Sequence, residues 1–176
     1  MQGHTADGGG GEHDRRPHGH NLGQPEESHD HRACIADALA AAGEVCAARG
    51  AQLTTLRRRV LELIWSSHRS VKAYDLMEQL GTDGRPAKPP TVYRALDFLI
   101  EQGLVHKVES LNAYVGCPHP TSPHEGQFLI CIACGRVDEM RDPAVRAAIR
   151  AGAQAAGYVP EGQTIEVRGR CARCRS

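Results

Sequence analysis

Two Cys-x-x-Cys pairs in the last quarter of this 176-residue chain constrain its fold more than any other feature. They are Cys131/Cys134 and Cys171/Cys174. A two-residue gap lets both sulfurs of a pair converge on one ion at about 2.3 Å, and four thiolates complete a closed tetrahedral zinc shell. Disulfides and a redox dithiol are the alternatives, but the residues around these pairs lack the strand-then-helix context of a redox motif. The spacing therefore predicts a four-cysteine structural zinc site.

Composition and charge fit a small protein that a structural metal ion helps to stabilise. Aromatic residues make up only 4 % of the chain, so a small core would gain from a bound metal. The net charge is zero, but residues 1–31 are acidic, and the remainder carries 19 basic against 15 acidic groups. A nucleic-acid partner is therefore compatible with the charge. No apolar run approaches a membrane span, and no signal peptide is evident, so we expect a reducing, cytoplasmic location.

Residues 1–32 are rich in glycine and histidine and offer almost no apolar surface, which predicts a disordered tail. A solvated tail and a metal-binding tail both fit this composition. Six of the ten histidines lie here: His4, His13, His18, His20, His29 and His31.

Residues 33–116 carry the pattern of a winged helix-turn-helix. Helical spacing predicts one helix that ends at Gly50, a second capped by Thr54, a third from about Ser70 to Gly81, and a fourth from Pro90 to Gly103. The period then changes to two over residues 104–108 and 113–117, as in a β-hairpin. In a winged helix the last helix enters the major groove of DNA. A small helical domain without a nucleic-acid role fits the periodicity equally well.

Residues 117–176 predict a second, smaller domain. Strands are expected at 127–132, 136–140 and 164–168, with one helix at 143–156 and the cysteine pairs in the turns. The predicted fold class is therefore α+β, with a helical domain that ends in a hairpin followed by a small α/β domain that carries a four-cysteine zinc site.

Residues 88–106, KPPTVYRALDFLIEQGLVH, resemble the recognition-helix signature of the ferric uptake regulator family of metal-dependent repressors. Residues 73–76 and 106–110 resemble its zinc uptake regulator branch, and the cysteine pairs stand where that family has them. The resemblance spans residues 34–176. It implies an N-terminal winged-helix DNA-binding domain followed by a small α/β dimerisation domain with a four-cysteine zinc site. It also implies a repressor, not an enzyme, that binds operator DNA as a zinc-loaded homodimer and represses zinc-uptake genes.

The resemblance also implies a second, regulatory zinc site, which gives two zinc ions per chain. Its ligands would be His106, Cys117, His124 and Glu139, whose N, S, N and O donors complete a tetrahedral shell. His119 is a rival to His124, and Asp138 could substitute for its neighbour. Iron-sensing members carry a run of closely spaced histidines before the first cysteine pair. Here residues 117–124 offer two histidines and a thiol, which favours zinc over iron(II).

The DNA contacts follow partly from chemistry and partly from the resemblance. Arg94 on the fourth helix can make a bidentate contact to guanine, and Tyr74 matches the family's other DNA-contacting residue. Thr91, Tyr93 and Lys88 complete the predicted DNA-binding set. Basic side chains are expected to contact phosphates: Arg57, Arg58, Arg59, Lys72, Arg85, Lys88 and Lys107.

Other functions remain in competition. The chain lacks a His-Glu-x-x-His helix and the deaminase proline before its cysteine pairs, which argues against a zinc enzyme. An iron- or peroxide-sensing member of the family and a zinc-carrier or buffer protein are the alternatives. Cys46 shares a helix face with apolar residues and is expected to be buried, while Cys34 is given no role.

Overall fold

The computed structural model describes residues 31–66, 69–122 and 124–175. Within these ranges the helices are α1 His31–Ala48, α2 Thr55–Trp65, α3 Ala73–Gln79, α4 Pro89–Glu101 and α5 Pro143–Ala155. The strands are β1 Val105–Val108, β2 Ala113–Gly116, β3 Gln127–Cys131, β4 Val137–Glu139 and β5 Ile165–Gly169.

Helices α1, α2 and α4 begin and end near the residues that the sequence predicts. The Thr54 side chain accepts a hydrogen bond from the Arg57 backbone N–H and caps α2. Helix α4 opens on the Pro89-Pro90 pair, and Gly103 after its end has φ +66°, a conformation that favours glycine. The apolar faces of these helices meet in one core, which fixes α4 against α2 and leaves its other face exposed.

Strands β1 and β2 form an antiparallel hairpin, the wing, in which His106 lies opposite Val115. The prediction that α3 begins near Ser70 is wrong, because the helix starts at Ala73. Val71 instead exchanges two backbone hydrogen bonds with Tyr114, at 2.9 and 2.8 Å, and extends the sheet of the wing. Helical periodicity could not reveal this, because the pairing depends on a strand more than 40 residues away.

The second sheet has the strand order β4-β3-β5, with β3 antiparallel to β4 and parallel to β5. Helix α5 lies in the crossover between the parallel strands, as such a connection requires. Phe128 and Ile130 of β3 pack against Val108 of the wing in a small apolar cluster. The wing is therefore held directly against the second sheet.

The predicted α+β fold, a winged helix followed by a small sheet with paired cysteines, is confirmed. The predicted tail falls on residues outside the described ranges, except that α1 already begins at His31. The domain limits 33–116 and 117–176 stay a prediction. In the part of the chain that the structure describes, no helix combines the length and the apolar character needed to cross a bilayer. Cys46 is buried, as expected, and Cys34 is partly exposed near the start of α1.

Candidate metal centres and nucleic-acid interface

The turns after β3 and β5 bring Cys131, Cys134, Cys171 and Cys174 together, with their sulfurs within 4.8 Å of one another. In the first turn the Gly135 N–H bonds to the Cys131 carbonyl at 2.9 Å, with Gly135 at φ +74°. Parallel pairing of β3 with β5 places the second turn beside the first. The Cys134 and Cys171 sulfurs are 3.8 Å apart. A tetrahedron of thiolates at about 2.3 Å from zinc has edges of about 3.8 Å.

The protonation of these four cysteines also fits a cation. The backbone N–H of Cys171 donates to the Cys131 sulfur and contributes most to lowering the pKa of Cys131, to about 6. Hydrogen bonding to Cys171 raises the pKa of Cys174 to about 12. Four sulfurs at this separation cannot all carry negative charge unless a cation offsets their repulsion. We call this set the four-cysteine cluster.

A second set of donors, the mixed-donor cluster, contains His106, Cys117, His124 and Glu139, with one ligand atom from each within 4.8 Å of the others. Its members come from different parts of the fold, because His106 lies on β1, Cys117 follows β2 and Glu139 ends β4. The His124 Nε2 atom is 3.2 Å from the His106 Nε2 atom, 3.4 Å from the Cys117 sulfur and 2.6 Å from a Glu139 oxygen. The wing and the second sheet thus contribute to one donor set.

A backbone contact orients His124 toward that set. Its Nδ1–H donates to the Ser122 carbonyl at 2.7 Å, which leaves the lone pair on Nε2. Nε2 then faces the Glu139 carboxylate and is the ring atom available to a metal ion. Both Glu139 oxygens are buried without a well-aligned hydrogen-bond partner among the described residues, although the His124 imidazole is close.

Burial disfavours charge at His106, Cys117 and Glu139. It lowers the pKa of His106 to about 4, with the neighbouring His124 as a smaller cause. It also raises the pKa of Cys117 to about 12, with a further contribution from Glu139, whose own pKa is raised by burial. A divalent cation would reverse the penalty on the thiolate and the carboxylate. Two imidazoles, one thiol and one orphaned carboxylate therefore fit zinc in chemistry and in spacing.

The two rival ligands lie elsewhere. His119 is not part of the mixed-donor cluster, and its carbonyl accepts a hydrogen bond from the Ser122 N–H at 3.3 Å. Asp138 points to Arg136, whose Nε lies 2.7 Å from a carboxylate oxygen. The geometry favours His124 and Glu139, and their role as ligands stays a proposal.

Helix α4 presents the predicted DNA-reading side chains on its open face. Val92 and Leu96 are buried, whereas Thr91, Tyr93 and Arg94 are exposed. Lys88, the residue just before the helix, is also exposed. Tyr74, at the start of α3, is 63 % exposed. This surface is available to a groove of DNA.

Some of the expected phosphate contacts have other partners. The Arg57 guanidinium lies 3.5 Å from the centre of the Phe98 ring and donates to the Gln52 carbonyl, so it already has partners within the fold. Arg59 forms an ion pair with Glu62. Sequence alone could not separate these arginines from solvated ones, because the distinction depends on tertiary neighbours. Nothing in the sequence indicates that Glu166 contacts the wing, where it accepts hydrogen bonds from the Glu109 and Ser110 N–H groups.

The fold and the two clusters define a winged-helix protein equipped to bind metal. The chain belongs to the ferric uptake regulator family, whose model matches residues 48–168. It is 44 % identical to the zinc uptake regulation protein of Escherichia coli strain K12 over 137 residues, 77 % of this chain and 80 % of that protein. It is 30 % identical to the ferric uptake regulation protein of the same organism over 131 residues, 72 % and 86 % of the two chains. A solved zinc uptake regulator complexed with zinc and DNA matches with a TM-score of 0.74 and 42 % identity, over 79 % of this chain and 93 % of that one.

Proposed function

We propose that this protein is a zinc-responsive transcriptional repressor that binds operator DNA as a zinc-loaded homodimer and represses zinc-uptake genes. One observation carries the proposal: the mixed-donor cluster joins residues of the wing to a residue of the second sheet. The relatives support it, because a protein with 44 % identity is a zinc uptake regulation protein and a structure with 42 % identity contains zinc and DNA.

The residues of the mixed-donor cluster would couple metal binding to the position of α4. His106 lies on β1 of the wing, Cys117 follows β2, and Glu139 ends β4. Helix α4 leads directly into β1. A bound zinc ion would supply positive charge that offsets the negative charges of the Glu139 carboxylate and the Cys117 thiolate. Only an arrangement with the wing against the second sheet brings all four donors together. A ligand that binds this closed arrangement better than an open one shifts the population toward it.

The two clusters would have different tasks. The four-cysteine cluster joins the turns after β3 and β5 and would stay filled as a structural site. The mixed-donor cluster would fill and empty with the zinc supply. A thiolate ligand favours zinc over iron(II), so an iron- or peroxide-sensing regulator is the weaker alternative. A zinc-carrier protein would leave the exposed reading face of α4 without a purpose.

DNA recognition would place α4 in the major groove. Arg94 would read guanine, Thr91, Tyr93 and Tyr74 would make further contacts, and Lys88 would contact a phosphate. A single winged helix reads one half-site, so we propose a homodimer held through the second sheet. The protein would act in the cytoplasm, where its operator is accessible.

Metal titration against operator binding tests the proposal. An operator is first selected from random duplexes in the presence of zinc, and its affinity is then measured at buffered zinc, iron(II) and manganese(II). We expect zinc to promote binding at the lowest free concentration, and light scattering to show a dimer. Operator binding that ignores zinc, or that responds first to iron(II), would contradict the proposal.

The role of the four-cysteine cluster has its own test. Replacing Cys131 or Cys171 by Ser should unfold the second sheet or dissociate the dimer, because structural zinc contributes directly to folding. A folded dimer that has lost this zinc would show that the cluster is not structural.

A further inference from the structure

Three side chains form a row across the second sheet and face the wing. Phe128 of β3 lies opposite Glu139 of β4 on one side and opposite Glu166 of β5 on the other. Residues directly opposite each other on paired strands project from the same face of a sheet. The two glutamates are therefore about 10 Å apart, the width of two strand spacings, with an aromatic ring between them.

Each member of this row contacts a different part of the wing. Glu139 lies beside His106, with a carboxylate oxygen 3.6 Å from its Nε2. The Phe128 ring centre is 5.4 Å from that of His106, and Phe128 belongs to the apolar cluster that contains Val108. Glu166 accepts hydrogen bonds at the tip of the wing, where the row ends.

The contact at the tip is made with backbone groups. One Glu166 oxygen accepts from the Glu109 N–H at 2.7 Å, and the other accepts from the Ser110 N–H at 3.1 Å. Glu109 and Ser110 are in the short 3₁₀ turn between β1 and β2, which leaves these two donors without partners inside the hairpin. Partial burial raises the pKa of Glu166, but the hydrogen bonds from Ser110 and Glu109 outweigh it and keep the pKa below its usual value.

We propose that Glu166 is a positioning residue for the mixed-donor cluster, acting by hydrogen-bonding the tip of the wing to the second sheet. The proposal rests on the proposed function, in which His106 and Cys117 hold zinc together with Glu139. The wing is a two-stranded hairpin and should move as one rigid unit. Glu166 hydrogen-bonds its tip, Phe128 packs against its middle, and Glu139 lies beside His106. Loss of the tip contact would free the wing to leave the sheet and would separate the donors.

The variant Glu166→Gln tests this with almost no change in shape. The Gln amide offers one neutral oxygen in place of two charged ones, so the Glu109 and Ser110 N–H groups no longer each face a carboxylate oxygen. The matched control is Glu161→Gln, which removes the same charge from an exposed residue just before β5. Both proteins are prepared with the four-cysteine cluster loaded, and a competing chelator then measures zinc affinity at the second site. Amide hydrogen exchange of residues 109–111 is measured on the same zinc-loaded samples.

We expect Glu166→Gln to weaken zinc binding at the second site on the order of tenfold, as fits loss of a charge-assisted hydrogen bond. The amides of Glu109 and Ser110 should exchange faster, and the dimer and the first zinc should be unchanged. The control should match the parent in every measurement. Parent-like zinc affinity in Glu166→Gln would overturn the proposal, even if its amides exchange faster.

These measurements do not involve DNA, so they are distinct from the test of function. If the parent protein bound its operator without regard to zinc, the proposed function would fail while the zinc titration still reported on the tip contact. If operator binding depended on zinc but both variants titrated alike, only the role of Glu166 would be rejected.

Discussion

Replacing Glu139 by Gln should change stability in opposite directions with and without zinc. The Glu139 side chain is only 5 % exposed, and its two oxygens have no hydrogen-bond partner among the described residues. In the absence of zinc, burying the charged carboxylate costs desolvation free energy, and a neutral amide of the same shape reduces this cost. We expect the free energy of unfolding of the protein with an empty second site to rise by about 1 kcal/mol in the variant.

With zinc present the sign reverses. At a free zinc concentration of about one hundred times the Kd, binding stabilises the parent by about 2.7 kcal/mol. If loss of the carboxylate weakens binding about a hundredfold, that contribution falls to about 0.4 kcal/mol. The gain from removing the buried charge offsets part of this loss, so the zinc-loaded variant should be less stable than the parent by about 1 kcal/mol.

Urea denaturation at neutral pH measures both effects. The second site is emptied with a chelator too weak to strip the four-cysteine cluster. The raised pKa of Glu139 means that the folded, zinc-free parent holds a proton longer than the unfolded chain. Its stability should fall as pH rises from 4.5 through the raised value, and the advantage of the variant should grow over that range. If Glu139→Gln destabilised the protein both with and without zinc, the Glu139 carboxylate would not be unfavourable in the zinc-free fold, and the reasoning would be refuted.

Two further predictions concern packing and DNA. An added Cβ at Gly116 would lie 2.3 Å from the Trp65 ring, so Gly116→Ala should lower the free energy of unfolding by about 1–3 kcal/mol. In α1, nothing lies within 4 Å of a Cβ added at Gly43, so Gly43→Ala should raise the free energy of unfolding by up to about 1 kcal/mol. Both variants are measured by the same urea denaturation. Arg94→Ala should weaken binding by about 1–3 kcal/mol through one operator position and relax the base preference at that position. Lys88→Ala should weaken binding to all sequences alike and reduce the slope of log affinity against log salt concentration by about one. Operator titration at several salt concentrations measures both effects. An equal loss of affinity for all operator sequences in Arg94→Ala would contradict the predicted base contact. A Gly116→Ala protein as stable as the parent would contradict the predicted clash with Trp65.

The elements of the fold were predictable because their signals are local. The caps at Thr54 and the Pro89-Pro90 pair, together with the change of period after Gly103, define helices and wing from neighbouring residues. The start of α3 was not predictable, since it depends on pairing between Val71 and Tyr114. Local pattern cannot register a partner so distant in the chain.

The four-cysteine cluster was predictable from spacing alone, because each pair places two donors on one turn. The mixed-donor cluster was not, since its four members come from separate segments and were grouped only through the family resemblance. The choice of His124 over His119 depends on the Ser122 carbonyl, which the sequence does not reveal. Glu166 gave no signal, because its role arises from the register of β5 against β3 and from the docking of the wing.

Operator affinity as a function of free zinc, measured on the parent and on Cys117→Ser, shows directly whether the mixed-donor cluster is the zinc sensor. Cys34→Ser is the control, because it removes a thiol that lies outside both clusters. Zinc content, size and operator binding are measured on each preparation. We expect about two zinc ions per chain and zinc-dependent operator binding for the parent and the control. Cys117→Ser should remain a folded dimer with about one zinc per chain and should lose zinc-dependent binding. If Cys117→Ser bound the operator with the zinc dependence of the parent, the mixed-donor cluster would not be the sensor.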